Sequence, residues 1–270
     1  MHKLVSLNLQ IESAENSSIP AVSPAALYGK AVFTTLSVEH SKPFLWEKHW
    51  HRLQSNCQKL NVDLSGFTEA GVKTALFQII EENHLERGRA RLTFFDRSAN
   101  GIWQFESSNR TDFLITTADF RETKTKYRLT VSPFSINSNS PLANVKSCNY
   151  LENLLAFEEA GKRGYDEAVR LNEKGEIVSA TMANIFWIKN ETIFTPALET
   201  GCLAGTTREF LLENCAVWQI KAELPEITGA DEIFLTSAGI GLRSAFFENV
   251  SNQSADSGQK LGRIRDLLKA

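Results

Sequence analysis

Residues 30–38 alternate apolar and polar positions and are rich in β-branched and aromatic side chains; the polar run Glu39-His40-Ser41-Lys42-Pro43 then interrupts them before Phe44-Leu45-Trp46 resumes. A period of two broken by turn formers predicts a β-hairpin. The period then lengthens. Across residues 46–60, Leu53, Cys57 and Leu60 recur at helical spacing, and Gly66-Phe67-Thr68-Glu69 leads into a second helix through Ile79 and Ile80, with Val72, Leu76 and Ile79 on one stripe. Strand-like runs follow at 90–95, 112–117 and 127–131. Residues 121–126 are polar and unpatterned, which places a domain boundary between residues 1–122 and 123–270.

The second half opens on an irregular loop, residues 135–144, dense in Ser, Asn and Pro. Residues 149–161 then carry Leu151, Leu154, Leu155 and Phe157 in a helical pattern that a glycine, Gly161 or Gly164, closes. Short strands are expected at 167–171, 177–178, 184–189 and 191–195, with Gly175 and Asn190 at turns. Thr206 followed by Glu209 fits a capping box for a helix over 209–217. A buried strand over 231–236 and an amphipathic helix from Gly258 complete the reading, and no internal repeat is evident.

Composition narrows the class. With 270 residues and 42% hydrophobic content the chain can bury one large or two modest cores. Its 29 Lys and Arg against 32 Asp and Glu, without blocks of one sign, give no electrostatic reason to expect a nucleic acid or a membrane as partner. Cys57, Cys148, Cys202 and Cys215 are scattered and form no CxxC pair, which predicts reduced, buried thiols. The N-terminus lacks a long apolar run, so neither secretion nor membrane insertion is expected and the protein is read as cytoplasmic. His49-x-His51 lacks a third ligand and reads as two half-exposed helix residues, with no metal site.

The chemistry starts at Lys146, in Val145-Lys146-Ser147-Cys148-Asn149-Tyr150-Leu151. A lysine that condenses with an aldehyde needs an apolar setting that lowers its pKa. Farther on stand Asn184-Ile185-Phe186 and Gly205-Thr206-Thr207-Arg208, the latter a helix start with small and hydroxyl residues suited to a phosphate. This ordered set, with His49-Trp50-His51-Arg52-Leu53 before it, resembles the class IV aminotransferases from about Tyr28 to Gly239. These fold-type IV pyridoxal-phosphate enzymes include branched-chain and D-amino-acid aminotransferases and 4-amino-4-deoxychorismate lyase.

The resemblance implies a two-domain α/β (α+β) fold with pyridoxal 5'-phosphate at the domain interface, the larger C-terminal domain supplying Lys146, and a homodimer. It implies that Lys146 carries the cofactor aldehyde and moves protons, that Arg52, Thr206, Thr207 and Ser237 serve the phosphate, and that Tyr150 bonds the ring hydroxyl. Asn184 counts with them as cofactor-binding. Where relatives usually hold a glutamate against the pyridine nitrogen, this chain has Ser179, a weaker partner for a pyridinium. Glu176 could replace it only through a slip of strand register.

Phe33-Thr34-Thr35, residues 52–60 and Asn184-Ile185-Phe186-Trp187 are similar to the lyase branch, and Thr34 joins Lys146 as the expected catalytic pair. The activity so implied converts the small-molecule amine 4-amino-4-deoxychorismate to 4-aminobenzoate and pyruvate, a step of folate synthesis. Transamination of branched-chain or D-amino acids is the alternative, and a cofactor-binding protein without turnover a third reading. Dicarboxylate recognition needs arginines, for which Arg89, Arg91 and Arg97 are candidates, each with a surface ion pair as its ordinary role.

Overall fold

The computed structural model describes residues 1–98, 110–248 and 255–268, the side chains of 255–260 excepted. Its contacts divide the chain into two units, Met1–Glu122 with Val145–Asn149, and Thr123–Asn144 with Tyr150–Ala270.

The first unit runs β1 (Leu4–Leu7), β2 (Gln10–Ser13), α1 (Pro24–Tyr28), β3 (Ala31–Glu39), β4 (Lys42–Pro43), α2 (Trp46–Lys59), α3 (Glu69–Glu82), β5 (Arg87–Asp96) and β6 (Thr111–Asp119). Its six-stranded sheet has the order β2-β1-β6-β5-β3-β4, with every pair antiparallel. The predicted hairpin is present, but its return arm is only Lys42–Pro43. Leu45 takes a left-handed conformation, φ 55°, and turns the chain directly into α2. Helices α2 and α3 cover one face of the sheet. Leu53, Leu76 and Ile79 from the helices meet Leu36 and Leu92 from the strands, all fully buried. Each such side chain contributes about 1.5–3 kcal/mol by leaving water.

Strand β3 has a second partner. Where β4 no longer covers its edge, the segment around Ser147 pairs with Val32. Phe33 N–H donates to the Lys146 carbonyl at 3.0 Å and Cys148 N–H to the Ala31 carbonyl at 2.9 Å. Those backbone bonds place Lys146 with the first unit, although the sequence boundary groups it with the second.

The second unit runs β7 (Lys126–Val131), α4 (Leu151–Lys162), β8 (Glu167–Leu171), β9 (Ile177–Ala180), β10 (Asn184–Lys189), β11 (Thr192–Pro196), α5 (Thr206–Asn214), β12 (Val217–Ile220), α6 (Leu224–Thr228), β13 (Glu232–Ser237), β14 (Gly241–Phe247) and α7 (Ala255–Leu267). Its eight-stranded sheet is mixed, ordered β12-β11-β10-β13-β14-β7-β8-β9, and curls until β9 comes back against β10. Val169, Ala180, Ile185, Trp187 and Leu235 fill the inside of the curl. Phe186 and Phe234, stacked at 5.0 Å, face outward and pack beneath Leu211 of α5 and Leu261 and Ile264 of α7.

Three local expectations change. The capping box does not form: Gly205 is the N-cap of α5, without a side-chain cap bond, and the helix begins at Thr206. The segment ends at Asn214, and Val217 starts β12 because its residues pair with β11 instead. Of the four thiols, Cys57 and Cys202 are buried but Cys148 and Cys215 are only half-buried.

Candidate active site

Helix α2 presents His49 and Arg52 on one face, since residues three apart are neighbours on a helix. Both reach the hydroxyl of Thr34 on β3. Arg52 Nη2 donates to Thr34 Oγ1 at 2.6 Å, and His49 Nδ1 lies 2.7 Å from the same oxygen. His49 is 1% exposed, not half-exposed as its polar neighbours suggested. Burial holds its pKa well below the usual histidine value, and the positive charges of Arg52 and Lys146 lower it further. A neutral imidazole is the form that suits a ring buried among cations.

Thr34 does not stand as an open catalytic hydroxyl. Strand alternation turns it to the helix-covered face, where it is fully buried and accepts the Arg52 hydrogen bond.

Lys146 lies at the edge of β3, fixed by its backbone bond to Phe33. Its Nζ is 4.4 Å from the centroid of the Phe33 ring, and the Arg91 guanidinium carbon is 3.8 Å from the same centroid. Burial of the amine brings its pKa down from 10.5 to about 7, with help from the charges of Arg52 and Arg91. Such an amine is partly unprotonated at neutral pH and able to attack a carbonyl. Arg91 also donates from Nη2 to Cys148 Sγ at 3.7 Å and from Nε to Thr93 Oγ1 at 3.4 Å. It is exposed, and no carboxylate among the described residues pairs with it. Arg97 instead pairs with Asp112 at 3.2 Å, its ordinary surface role, and Arg89 lies opposite Ser37, two residues before Arg91 on β5.

In the second unit, Thr206 and Thr207 are buried at the first turn of the nine-residue helix α5. Asn184 arranges the approach to that turn, donating from Nδ2 to the Leu203 carbonyl at 2.8 Å. A Cβ on Gly205 would overlap the Asn184 amide oxygen, so any larger residue there must displace that side chain. Ser237 closes β13, half-buried, with Ile240 N–H 3.4 Å from its hydroxyl. Tyr150 is the half-buried N-cap of α4. Ser179 is half-buried on β9, directly opposite Arg170 of β8. Glu176 does not replace it. Its carboxylate accepts from Asn172 Nδ2 at 2.7 Å, and its backbone is tied to the same asparagine.

Comparison with known proteins decides the family. The model of the amino-transferase class IV family matches residues 31–245. The chain belongs to this family. It is 25% identical over 252 residues to the aminodeoxychorismate lyase of Bacillus subtilis (strain 168), covering 90% of this chain and 86% of that protein. The branched-chain aminotransferase of Thermoproteus uzoniensis, solved with norvaline, superposes with a TM-score of 0.90 at 22% identity, over 98% of this chain and 94% of that one. That of Thermobaculum terrenum in its PLP form gives 0.85 at 19%, over 99% and 92%. This class IV enzyme therefore has pyridoxal 5'-phosphate as its cofactor.

The residues present fit that cofactor. An aldehyde needs an amine of lowered pKa, which Lys146 supplies. A phosphate needs backbone N–H groups, a helix dipole and close backbone approach, which Gly205, Thr206 and Thr207 supply. Sequence reasoning missed His49 and Phe33. The helical spacing of His49 and Arg52 could have signalled the first, and the alternation that sets Phe33 and Thr35 on one face and Thr34 on the other the second.

Proposed function

We propose that this class IV enzyme is a 4-amino-4-deoxychorismate lyase, forming 4-aminobenzoate and pyruvate for folate synthesis. The carrying observation is that Lys146 Nζ and the Arg91 guanidinium share the Phe33 ring, at 4.4 and 3.8 Å from its centroid. An accessible guanidinium beside the reacting amine suits a carboxylated substrate.

When bound, the cofactor supplies an aldehyde that takes up the substrate amine and a ring that withdraws electrons from the adjoining carbon. The chain's own groups do the rest. In the first unit Lys146 holds the cofactor and, once released, accepts the proton from the amine-bearing carbon. Arg91 orients a substrate carboxylate. Arg52, fixed by Thr34, serves as an anion ligand. In the second unit the proposed cofactor contacts are Thr206, Thr207 and Ser237 for phosphate, and Tyr150, Ser179 and Asn184 around the ring.

The proposed homodimer draws support from α4, which exposes Leu151, Leu154, Leu155 and Phe157. Contiguous exposed apolar side chains mark association surfaces. Sedimentation at twice the chain mass is the expected result, and a monomer contradicts it.

Purified protein supplied with freshly generated 4-amino-4-deoxychorismate is expected to release 4-aminobenzoate and pyruvate together. Conversion of L- or D-amino acids to keto acids without 4-aminobenzoate would make it an aminotransferase instead.

A further inference from the structure

Strand register sets Arg170 of β8 directly opposite Ser179 of β9, so the two side chains rise from one face of the sheet. Their neighbours Val169 and Ala180, also paired, point the other way into the core of the curl. Helix α4 packs on β8. Its Asn153 accepts a 2.9 Å hydrogen bond from Arg170 Nη1 and donates to the Thr181 carbonyl at 3.0 Å, fixing the guanidinium against the end of β9.

Arg170 is 1% exposed, and its Nε–H has no acceptor among the described residues. The groups that face it are few. From α4 comes Glu152, whose carboxylate is 3.6 Å from Nη2 but 79% exposed; from the residue before α4, the Tyr150 hydroxyl; from the loop after β7, the Ser135 carbonyl at 3.5 Å. Strand β9 offers only the neutral Ser179. A carboxylate so exposed is screened by water and balances the buried cation weakly. An arginine stays charged in such a place, so a buried guanidinium whose one carboxylate partner lies out in solvent stands beside Ser179.

We propose that Arg170, beside Ser179, keeps the ring nitrogen of the bound cofactor unprotonated and thereby directs the enzyme to elimination over transamination. The inference rests on the proposed function, in which Ser179 lies beside the ring, at the place where relatives usually hold a glutamate against the pyridine nitrogen. A cation nearby disfavours a second cation, and a serine hydroxyl can donate to a lone pair but cannot stabilise a pyridinium as a carboxylate does. A neutral pyridine withdraws electrons less strongly, which hinders a reaction that must store an electron pair in the ring. Elimination needs no such store. The C–H bond at the amine-bearing carbon breaks, its proton passes to a base and its electron pair forms the new ring double bond. The C–O bond on the adjacent carbon breaks in turn, its pair leaving with oxygen as enolpyruvate, which takes up a proton to become pyruvate.

Cofactor labelled with nitrogen-15 in the ring, bound to the full chain, reads the protonation state directly by NMR. The expected resonance across neutral pH is that of an unprotonated pyridine. In a double variant, Ser179→Glu with Arg170→Leu, it should move to the pyridinium position. Should that variant not fold, Arg170→Gln, which can keep the Asn153 hydrogen bond, should raise the ring-nitrogen pKa by about one unit or more. A pyridinium resonance in the wild-type protein, or a ring nitrogen indifferent to both variants, overturns the role of Arg170 and leaves the lyase proposal standing. Absence of any bound-cofactor resonance overturns the proposed function itself.

Discussion

Arg52 donates a 2.6 Å hydrogen bond to Thr34, joining the face of α2 to the middle of β3 in a place closed to water. The hydroxyl that the sequence motif singles out is held between a guanidinium and an imidazole. Thr34→Val keeps the shape and removes the oxygen to which Arg52 Nη2 donates. That loss is expected to cost about 1–3 kcal/mol of stability. Thr34→Ser should retain most of it. Thermal unfolding of the two variants tests this, and equal melting temperatures would contradict it.

Lys146 gives the fold a pH dependence of known sign. Its folded-state pKa of about 7 is below the ordinary 10.5, so between these values the unfolded chain binds a proton that the native chain does not. Stability of the cofactor-free protein should therefore rise with pH through that window. The destabilisation is complete below about 7 and gone above the unfolded value. Melting curves of wild type and Lys146→Met, compared as a function of pH, should converge toward the alkaline end. A constant difference would show that the amine is not held in this environment.

Gly205→Ala should disturb the turn proposed to hold the phosphate without touching the core. Its methyl would overlap the Asn184 amide oxygen and displace the bond to Leu203. Loss of one such bond, of order 1 kcal/mol, corresponds to roughly a five- to tenfold weaker cofactor affinity. Fluorescence titration with pyridoxal 5'-phosphate measures it, and unchanged affinity would separate this turn from the cofactor.

Much of this was legible in the residue pattern, for reasons that particular residues show. Helices α2 and α3 were found because Leu53, Cys57, Leu76 and Ile79 must all face one sheet, and burial on one side leaves a period that the chain displays. The hairpin arm was overread because a left-handed leucine, Leu45, gives no apolar signature. The capping box failed because Thr206 has the right chemistry one position too late, Gly205 taking the N-cap against Asn184. Strands β12 and β14 were not anticipated at all: Val217–Ile220 and Gly241–Phe247 acquire their conformation from partners distant in sequence. At the site, Lys146 could be picked out by its motif. Its surroundings could not, because Arg91 and Phe33 meet it only through strand pairing.

Arg91→Gln should separate substrate binding from the chemical step. If the guanidinium holds a substrate carboxylate equally in ground and transition states, KM rises with kcat little changed. A charge-assisted hydrogen bond of about 1.5–3 kcal/mol implies a rise of roughly ten- to a hundredfold. Steady-state kinetics of 4-aminobenzoate release decide it; an unaltered KM would place the carboxylate elsewhere.

The most direct measurement is reduction of the cofactor-loaded protein with borohydride, followed by mass analysis of its peptides. The phosphopyridoxyl group should be found on Lys146 and on no other lysine, and the Lys146→Met protein should remain unlabelled. Labelling at a different lysine, or protein that stays colourless and unmodified after incubation with pyridoxal 5'-phosphate, would contradict the assignment of Lys146.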